Sequence, residues 1–343
     1  MQTLRPGHEA APTYRLPRRA HLPPSVGVPA ALTLALFLLG PRAKVEEVGD
    51  ATALPADLEA YLAASESMVP GLREGDGKAI VWRESPATAT PVSLVYVHGF
   101  SADRHELDPV PERLAEALGA NLFFTRLTGH GRDGAAMAEA SAGDWLGDVG
   151  EAVEVGARIG ERVVLLGTST GGTLAAWAAL QDRLADRLAA VVLVSPNLGL
   201  ADPDARLLLW PWGGLIARAL LGTRRCFEPV SADQERHWTT CYPPRALVPM
   251  AALVERVRTL DPSSSRVPAL VLYSPEDGVV DPEETKRFFE RYGGSPKRLV
   301  PIRGSGDPAS HVLAGDILSP QTTEVVVEAT VDFLTPLLSG GGS

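Results

Sequence analysis

At 343 residues with 45% hydrophobic content, the chain is long enough for one large domain with a substantial core and short for two independent ones. Its formal net charge is −10, and the part from position 44 onward is more acidic still: only Glu9 among the acids precedes that point, whereas Arg5, Arg15, Arg18, Arg19 and Arg42 all do. A surface of that sign repels phosphate backbones, which argues against nucleic acid as a partner.

In chain order, residues 25–40 (SVGVPAALTLALFLLG) carry no charge and follow a basic segment, the layout of a secretory n-region and h-region. Pro29 interrupts the stretch, which is marginal for a membrane span of ~20 apolar residues. Residues 1–43 are therefore expected to be a signal or anchor that takes the protein to the cell envelope or outside and could associate it with a membrane. The alternative is a segment that is not a true signal, and a cytoplasmic protein. The nearest small-x-small cleavage match, Ala51-Thr52-Ala53, lies beyond an acidic run, and the surroundings of Arg18-Arg19 lack most of a twin-arginine signal.

A lead-in over 44–77 contains a short helical pattern with Leu58 and Leu62. From there short apolar runs alternate with longer amphipathic ones. Strands are expected at 93–97, 122–125, 163–166, 190–194, 269–273 and 299–302, each rich in β-branched or other apolar residues, as parallel strands buried on both faces require. Helices are expected at 111–118, 142–159, 172–180, 281–292 and 322–337. This alternation predicts an α/β fold with a mostly parallel, doubly wound sheet, its ligand site beyond the carboxyl ends of the strands.

Residues 198–265 break the alternation. They hold Trp210, Trp212 and Trp238, both cysteines and no clear strand, and read as a mainly helical cap inserted between core segments 78–197 and 266–337. Cys226 and Cys241 are too few for a disulfide scaffold and lack metal-ligand companions at finger spacing; they either bridge each other or remain free thiols. Residues 338–343 are a flexible tail.

Gly167-Thr168-Ser169-Thr170-Gly171 follows the strand RVVLLG and opens the helical run GGTLAAWAAL. A serine between glycines at a strand-to-helix turn is a nucleophile elbow: the strained turn exposes the hydroxyl, and Gly167 and Gly171 let strand and helix approach. A serine hydroxyl needs a base. Of seven histidines only His311 follows the last expected strand, in the loop GSGDPASHVLAGD. The acid should come from ALVLYSPED, where Asp277 stands just after the strand; Asp281 precedes Pro282 and reads as a helix N-cap, and Asp307 is the fallback. The backbone N–H of Thr170 and that of Phe100, in the loop after VSLVYV, are the candidate oxyanion donors. His98 is assigned a structural role.

VYVHGFSADRHE, RLTGHGRDG, GTSTGG, YSPEDGVVDP and the His311 loop together resemble bacterial esterases and the lysophospholipase-like and monoacylglycerol-lipase-like members of the α/β-hydrolase family. The resemblance spans about residues 78–335 and is far more specific for the fold than for the substrate. It implies an α/β-hydrolase fold in which Ser169, Asp277 and His311 form the triad and Phe100 and Thr170 the oxyanion hole. The implied activity is hydrolysis of a small-molecule acyl ester through an acyl-enzyme, which requires no cofactor and no metal. Threonines flank the serine where many relatives place Met or Gln after it, which bears on the shape of the acyl pocket. Other reactions on the same triad, on thioesters, amides or carbon–carbon bonds, or acyl transfer, are the rivals within enzymes. A non-catalytic binding protein of the same fold is the rival outside them. The cap is expected to lie over Ser169, with Trp210 or Trp212 lining the acyl pocket.

Overall fold

The structure, a computed structural model, describes residues 32–33, 35–46, 54–84 and 88–339. It divides into two units, Met1–Gly40 and Pro41–Ser343. In the first, residues 35–38 are helical and the Leu39 amide donates to the Ala35 carbonyl at 2.9 Å. The basic segment, the start of the apolar stretch and Ala51-Thr52-Ala53 lie outside the described residues. Among those described, no helix is long and apolar enough to cross a membrane.

The second unit begins with α1 (Leu58–Ser67), capped by the Asp57 side chain and burying Leu58 and Leu62. Then come β1 (Ala79–Val81), β2 (Thr90–Val97), α2 (Val110–Leu118), β3 (Asn121–Phe124), α3 (Ala142–Ile159), β4 (Gly160–Thr168), α4 (Thr170–Ala178), α5 (Asp182–Ala185) and β5 (Leu188–Val194). A capping box of Ser141 and Asp144 starts α3 where the sequence places it. The cap follows, with α6 (Gly213–Leu221), β6 (Arg225–Cys226), α7 (Ala232–His237), β7 (Cys241–Tyr242) and α8 (Leu247–Arg258). The chain then returns as β8 (Ala269–Tyr273), α9 (Pro282–Arg291), β9 (Lys297–Pro301) and α10 (Pro320–Ser339).

Seven strands form one sheet in the order β1-β3-β2-β4-β5-β8-β9, parallel except for β1, which runs antiparallel to β3. Successive residues of β2 serve opposite faces. Val95 and Val97 enter the core beneath α3, α4 and α8, while Leu94 and Tyr96 enter the one beneath α2 and α10. Helices on both faces make this the doubly wound architecture expected from the alternation.

Two details depart from the sequence reading. The edge strand β1 was not anticipated, because three partly exposed residues carry no measurable periodicity. The cap, expected to hold no clear strand, contains a two-residue ladder pairing Arg225 with Tyr242 and Cys226 with Cys241. A disulfide joins Cys226 to Cys241 across that ladder.

Candidate active site

The carboxyl ends of β2, β4, β5, β8 and β9 carry the loops that hold the candidate residues. Ser169 sits between β4 and α4 with φ 52° and ψ −114°, a conformation rare for a residue with a side chain. Four hydrogen bonds hold it. Its N–H donates to the Val194 carbonyl at 2.9 Å, and its carbonyl accepts from Asn197 N (3.1 Å), Thr173 N (3.0 Å) and Thr173 Oγ1 (3.2 Å). The flanking glycines are dictated by contact: a Cβ on Gly167 would stand 2.3 Å from the Gly171 carbonyl oxygen, and one on Gly171 2.0 Å from that of Val97.

His311 and Asp277 come together from the last two loops. His311 Nδ1 donates to Asp277 Oδ2 at 2.8 Å, while Asp277 Oδ1 accepts from Val279 N (2.8 Å) and Val280 N (3.0 Å). The acid loop is in turn tied to the histidine loop by Gly278 N donating to Ala309 O at 2.9 Å. Burial would lower the His311 pKa, but its hydrogen bond to Asp277 and the carboxylate charges of Asp277, Glu106 and Asp307 outweigh that and raise it. Ser169, Asp277 and His311 are each less than a tenth exposed.

Asp281 caps α9 by accepting from Glu283 N at 2.9 Å, with Pro282 at the first helical position. Asp307 spends its carboxylate on the amides of Ala309, His311 and Val312 at 2.9–3.1 Å, which shapes the loop beneath the imidazole. Neither is the partner of the His311 ring.

The amides of Phe100 and Thr170 donate to no acceptor among the described residues. His98 is wholly buried, with Nδ1 on the Gly99 carbonyl at 2.9 Å and Nε2 accepting from Leu127 N at 3.2 Å. Burial holds it down to about 4, so it is a neutral strut between two loops.

Three neighbours escaped the sequence reading. Glu106 lies in the tract SADRHE, which resembles a solvated charged turn, yet it is 3% exposed. Its Oε2 accepts from Gly99 N at 2.6 Å and from the Tyr96 hydroxyl at 3.2 Å, and burial pushes it up to about 7. Asn197 couples the elbow to the cap, its Nδ2 3.1 Å from Met250 Sδ on α8. Tyr242 packs edge-on against Phe100, ring centroids 5.4 Å apart. In sequence it is only an aromatic between Cys241 and Pro243.

The cap tryptophans are placed differently from the expectation. Trp210 and Trp212 are 51% and 37% exposed, and the aromatic that the cap brings against Phe100 is Tyr242. A cavity of about 720 Å³ is lined by Trp212, Leu215, Arg218, Arg245 and Arg42, among others, but by none of Ser169, Asp277 and His311.

Residues 90–305, more than half of the chain, match the family described as serine aminopeptidase, S33. The chain is 25% identical over 248 residues to a thermostable monoacylglycerol lipase of Bacillus sp. (strain H-257), covering 71% of this chain and 90% of that protein. Among solved structures it resembles a metagenome-derived lipolytic enzyme from a study of LipS and LipT, with TM-score 0.61, 22% identity, and 77% of this chain and 99% of the other covered. It also resembles the monoacylglycerol lipase of Paleococcus ferrophilus, with TM-score 0.55, 18% identity, and 76% and 98% covered. At those identities the two structures bear on the fold.

Proposed function

We propose, from the premise that this chain belongs to the serine aminopeptidase S33 family of α/β-hydrolases, that it is an esterase cleaving small acyl esters, monoacylglycerols among them, through an acyl-enzyme. The observation that carries the mechanism is the 2.8 Å contact from His311 Nδ1 to Asp277 Oδ2, which leaves Nε2 to serve as a base, taken with the left-handed backbone that sets Ser169 at the strand-to-helix turn. In this reading Nε2 removes the Ser169 proton as Oγ attacks the ester carbonyl. The amides of Phe100 and Thr170 stabilise the oxyanion, and the imidazolium returns the proton to the leaving alcohol. Water then repeats the cycle on the acyl-enzyme. The Asp277 carboxylate stabilises the imidazolium and fixes the tautomer, and needs no proton of its own.

A lipid-type substrate is supported by the sequence relative and by the apolar residues that the cap sets against the loop of Phe100, namely Tyr242, Ala246 and Leu247. The Cys226–Cys241 bridge supports export, since disulfides persist in oxidising compartments. The experiment is a comparison of monoacylglycerols, p-nitrophenyl esters of rising chain length and aminoacyl p-nitroanilides, with wild type and Ser169→Ala. Ester turnover that disappears in the variant, with labelling of wild type alone by a fluorophosphonate, is the expected result. Turnover of the anilides alone would move the reading to amides, and unchanged ester turnover in a folded Ser169→Ala protein would remove it.

A further inference from the structure

Away from the triad, three separate segments bring two carboxylates and two imidazoles to one point. Asp76 comes from the turn between α1 and β1, Asp103 and His105 from the turn after β2, and His237 from the last position of the cap helix α7. One donor atom from each lies within 4.8 Å of the others. Asp103 is fully buried and Asp76 is 4% exposed. His237 Nδ1 is 3.0 Å from Asp103 Oδ2, and the two imidazole rings stand 4.5 Å apart. The spacing in sequence, from 76 to 237, hides such a set from any motif.

The protein's own charges answer this cluster incompletely. Arg73 is the only guanidinium paired with it among the described ion pairs. Its Nε reaches Asp76 Oδ2 at 2.5 Å, but its Nη2 stays 3.5 Å from Asp103 Oδ2, beyond a normal hydrogen bond, and is buried without an acceptor. The two buried carboxylates are otherwise answered by imidazole and amide N–H groups, His237 Nδ1 on Asp103 Oδ2 and His105 N on Asp103 Oδ1 at 2.9 Å, and a buried carboxylate set among imidazoles is a donor set that metal binds. The Asp108 carboxylate on His105 Nδ1 adds the support that orients a ligating imidazole, whose Nε2 is met by a long 3.4 Å contact from Arg104 Nε that a metal would displace.

We infer that Asp76, Asp103, His105 and His237 form a structural site for a divalent transition metal of the zinc type, which fastens the cap to the turn that carries Glu106 and to the lead-in. The donor set decides the class: two imidazoles with two carboxylates suit zinc, whereas calcium and magnesium take oxygen throughout. Bonds of ~2.0–2.1 Å place tetrahedral donors roughly 3.3 Å apart, so donors within 4.8 Å need only a small inward movement and the outward swing of Arg73, whose side chain is 32% exposed. The ion takes no part in ester cleavage. Its effect on the site runs through the 103–108 turn, where Glu106 holds the Gly99 amide.

The test uses the full chain, stripped with a chelator and titrated with Zn²⁺ by calorimetry, with Tm measured at each addition. Wild type should bind one Zn²⁺ per chain and melt higher when loaded. His105→Ala/His237→Ala should lose at least ~100-fold in affinity together with the Tm rise, while retaining far-UV circular dichroism and fluorophosphonate labelling. Arg73→Ala distinguishes a metal site from an ion-pair network: removing the competing guanidinium should tighten Zn²⁺ binding, and Co²⁺ should give tetrahedral visible bands in wild type and Arg73→Ala but not in the double variant. Zn²⁺ binding equal in wild type and double variant would overturn the site. So would an Arg73→Ala protein that loses stability and binds Zn²⁺ no better than wild type.

Discussion

At the scale of single residues, three aspartates near His311 have distinct hydrogen-bond duties, and substitution should separate them. In the proposed mechanism Asp277→Asn removes the charge that stabilises the imidazolium and presents the wrong tautomer, so kcat should fall by about 10⁴ with little change in Tm. Asp281→Asn should leave kcat near wild type and cost at most about 1 kcal/mol, since asparagine also caps helices. Asp307→Ala frees three amides and should lower Tm before it lowers kcat. Steady-state kinetics beside melting curves checks all three, and an exchange of behaviour between Asp277 and Asp281 would show the acid to be misassigned. Glu106 is subtler. Its charge is one of those that raise His311, and the proposed mechanism needs His311 unprotonated, so the acid limb of kcat/KM should lie above the ordinary histidine range. Glu106→Gln keeps an acceptor for Gly99 N but loses the charge, and its limb should move to lower pH with the alkaline plateau preserved. An unmoved limb would show that the charge of Glu106 does not reach His311.

At the scale of elements, the cap is the part whose role the core does not dictate. Its helix α8 meets the turn of Ser169 through Met250 and Asn197, and β7 meets the loop of Phe100 through Tyr242. Replacing Tyr242 by Ala removes a fully enclosed ring that braces Phe100, so it should cost several-fold in kcat as well as about 3 kcal/mol or more of stability. Trp210→Ala and Trp212→Ala, at exposed positions, should cost little stability and leave the chain-length profile on p-nitrophenyl esters unchanged. A profile flattened by either tryptophan variant would return the acyl pocket to α6. Reduction of Cys226–Cys241, which are 15 positions apart, should cost up to ~3 kcal/mol and act on the cap first, because β6 is exposed and the bridge spans only cap residues. Protease sensitivity after mild reduction should therefore appear between 198 and 265 before the core is cut.

At the scale of the whole molecule, several ionisable groups are buried and held away from their ordinary titration. His98 is lowered to about 4 by burial and His130 well below its usual value, while burial raises Asp148 to about 6 and Glu106 to about 7. The two sets act in opposite directions. Histidines with lowered pKa take up protons on unfolding between about 4 and their ordinary value, so their contribution is lost as pH falls through that window. Acids with raised pKa hold their proton longer in the folded state, so their contribution is lost as pH rises toward about 7. Over the shared window from about 4 to about 7 the two sets oppose each other, so removing one member of either set should tilt the dependence of stability on pH. Glu106→Gln should lose less Tm than wild type between pH 5 and pH 8, and parallel Tm curves would show that Glu106 is not the group that titrates.

The core strands other than β1, the glycines of the strand-to-helix turn and the N-cap role of Asp281 were legible in the chain because each rests on local chemistry, whereas Asp277 and His311 were singled out by their order along the chain and their contact is a matter of tertiary structure. Buried parallel strands need runs of apolar residues, the elbow needs glycine where a Cβ would strike backbone, and an N-cap before proline is a matter of adjacent positions. What only tertiary structure decided is whatever depends on residues far apart in sequence. Glu106 looks like a surface charge until the fold closes around it, Tyr242 is one aromatic among several until β7 lies on Phe100, and the exposure of Trp210 and Trp212 follows from which face of the cap meets the core. The convergence of Asp76, Asp103, His105 and His237 belongs to the same class, since burial and proximity across distant segments arise from packing and leave no periodicity in the sequence.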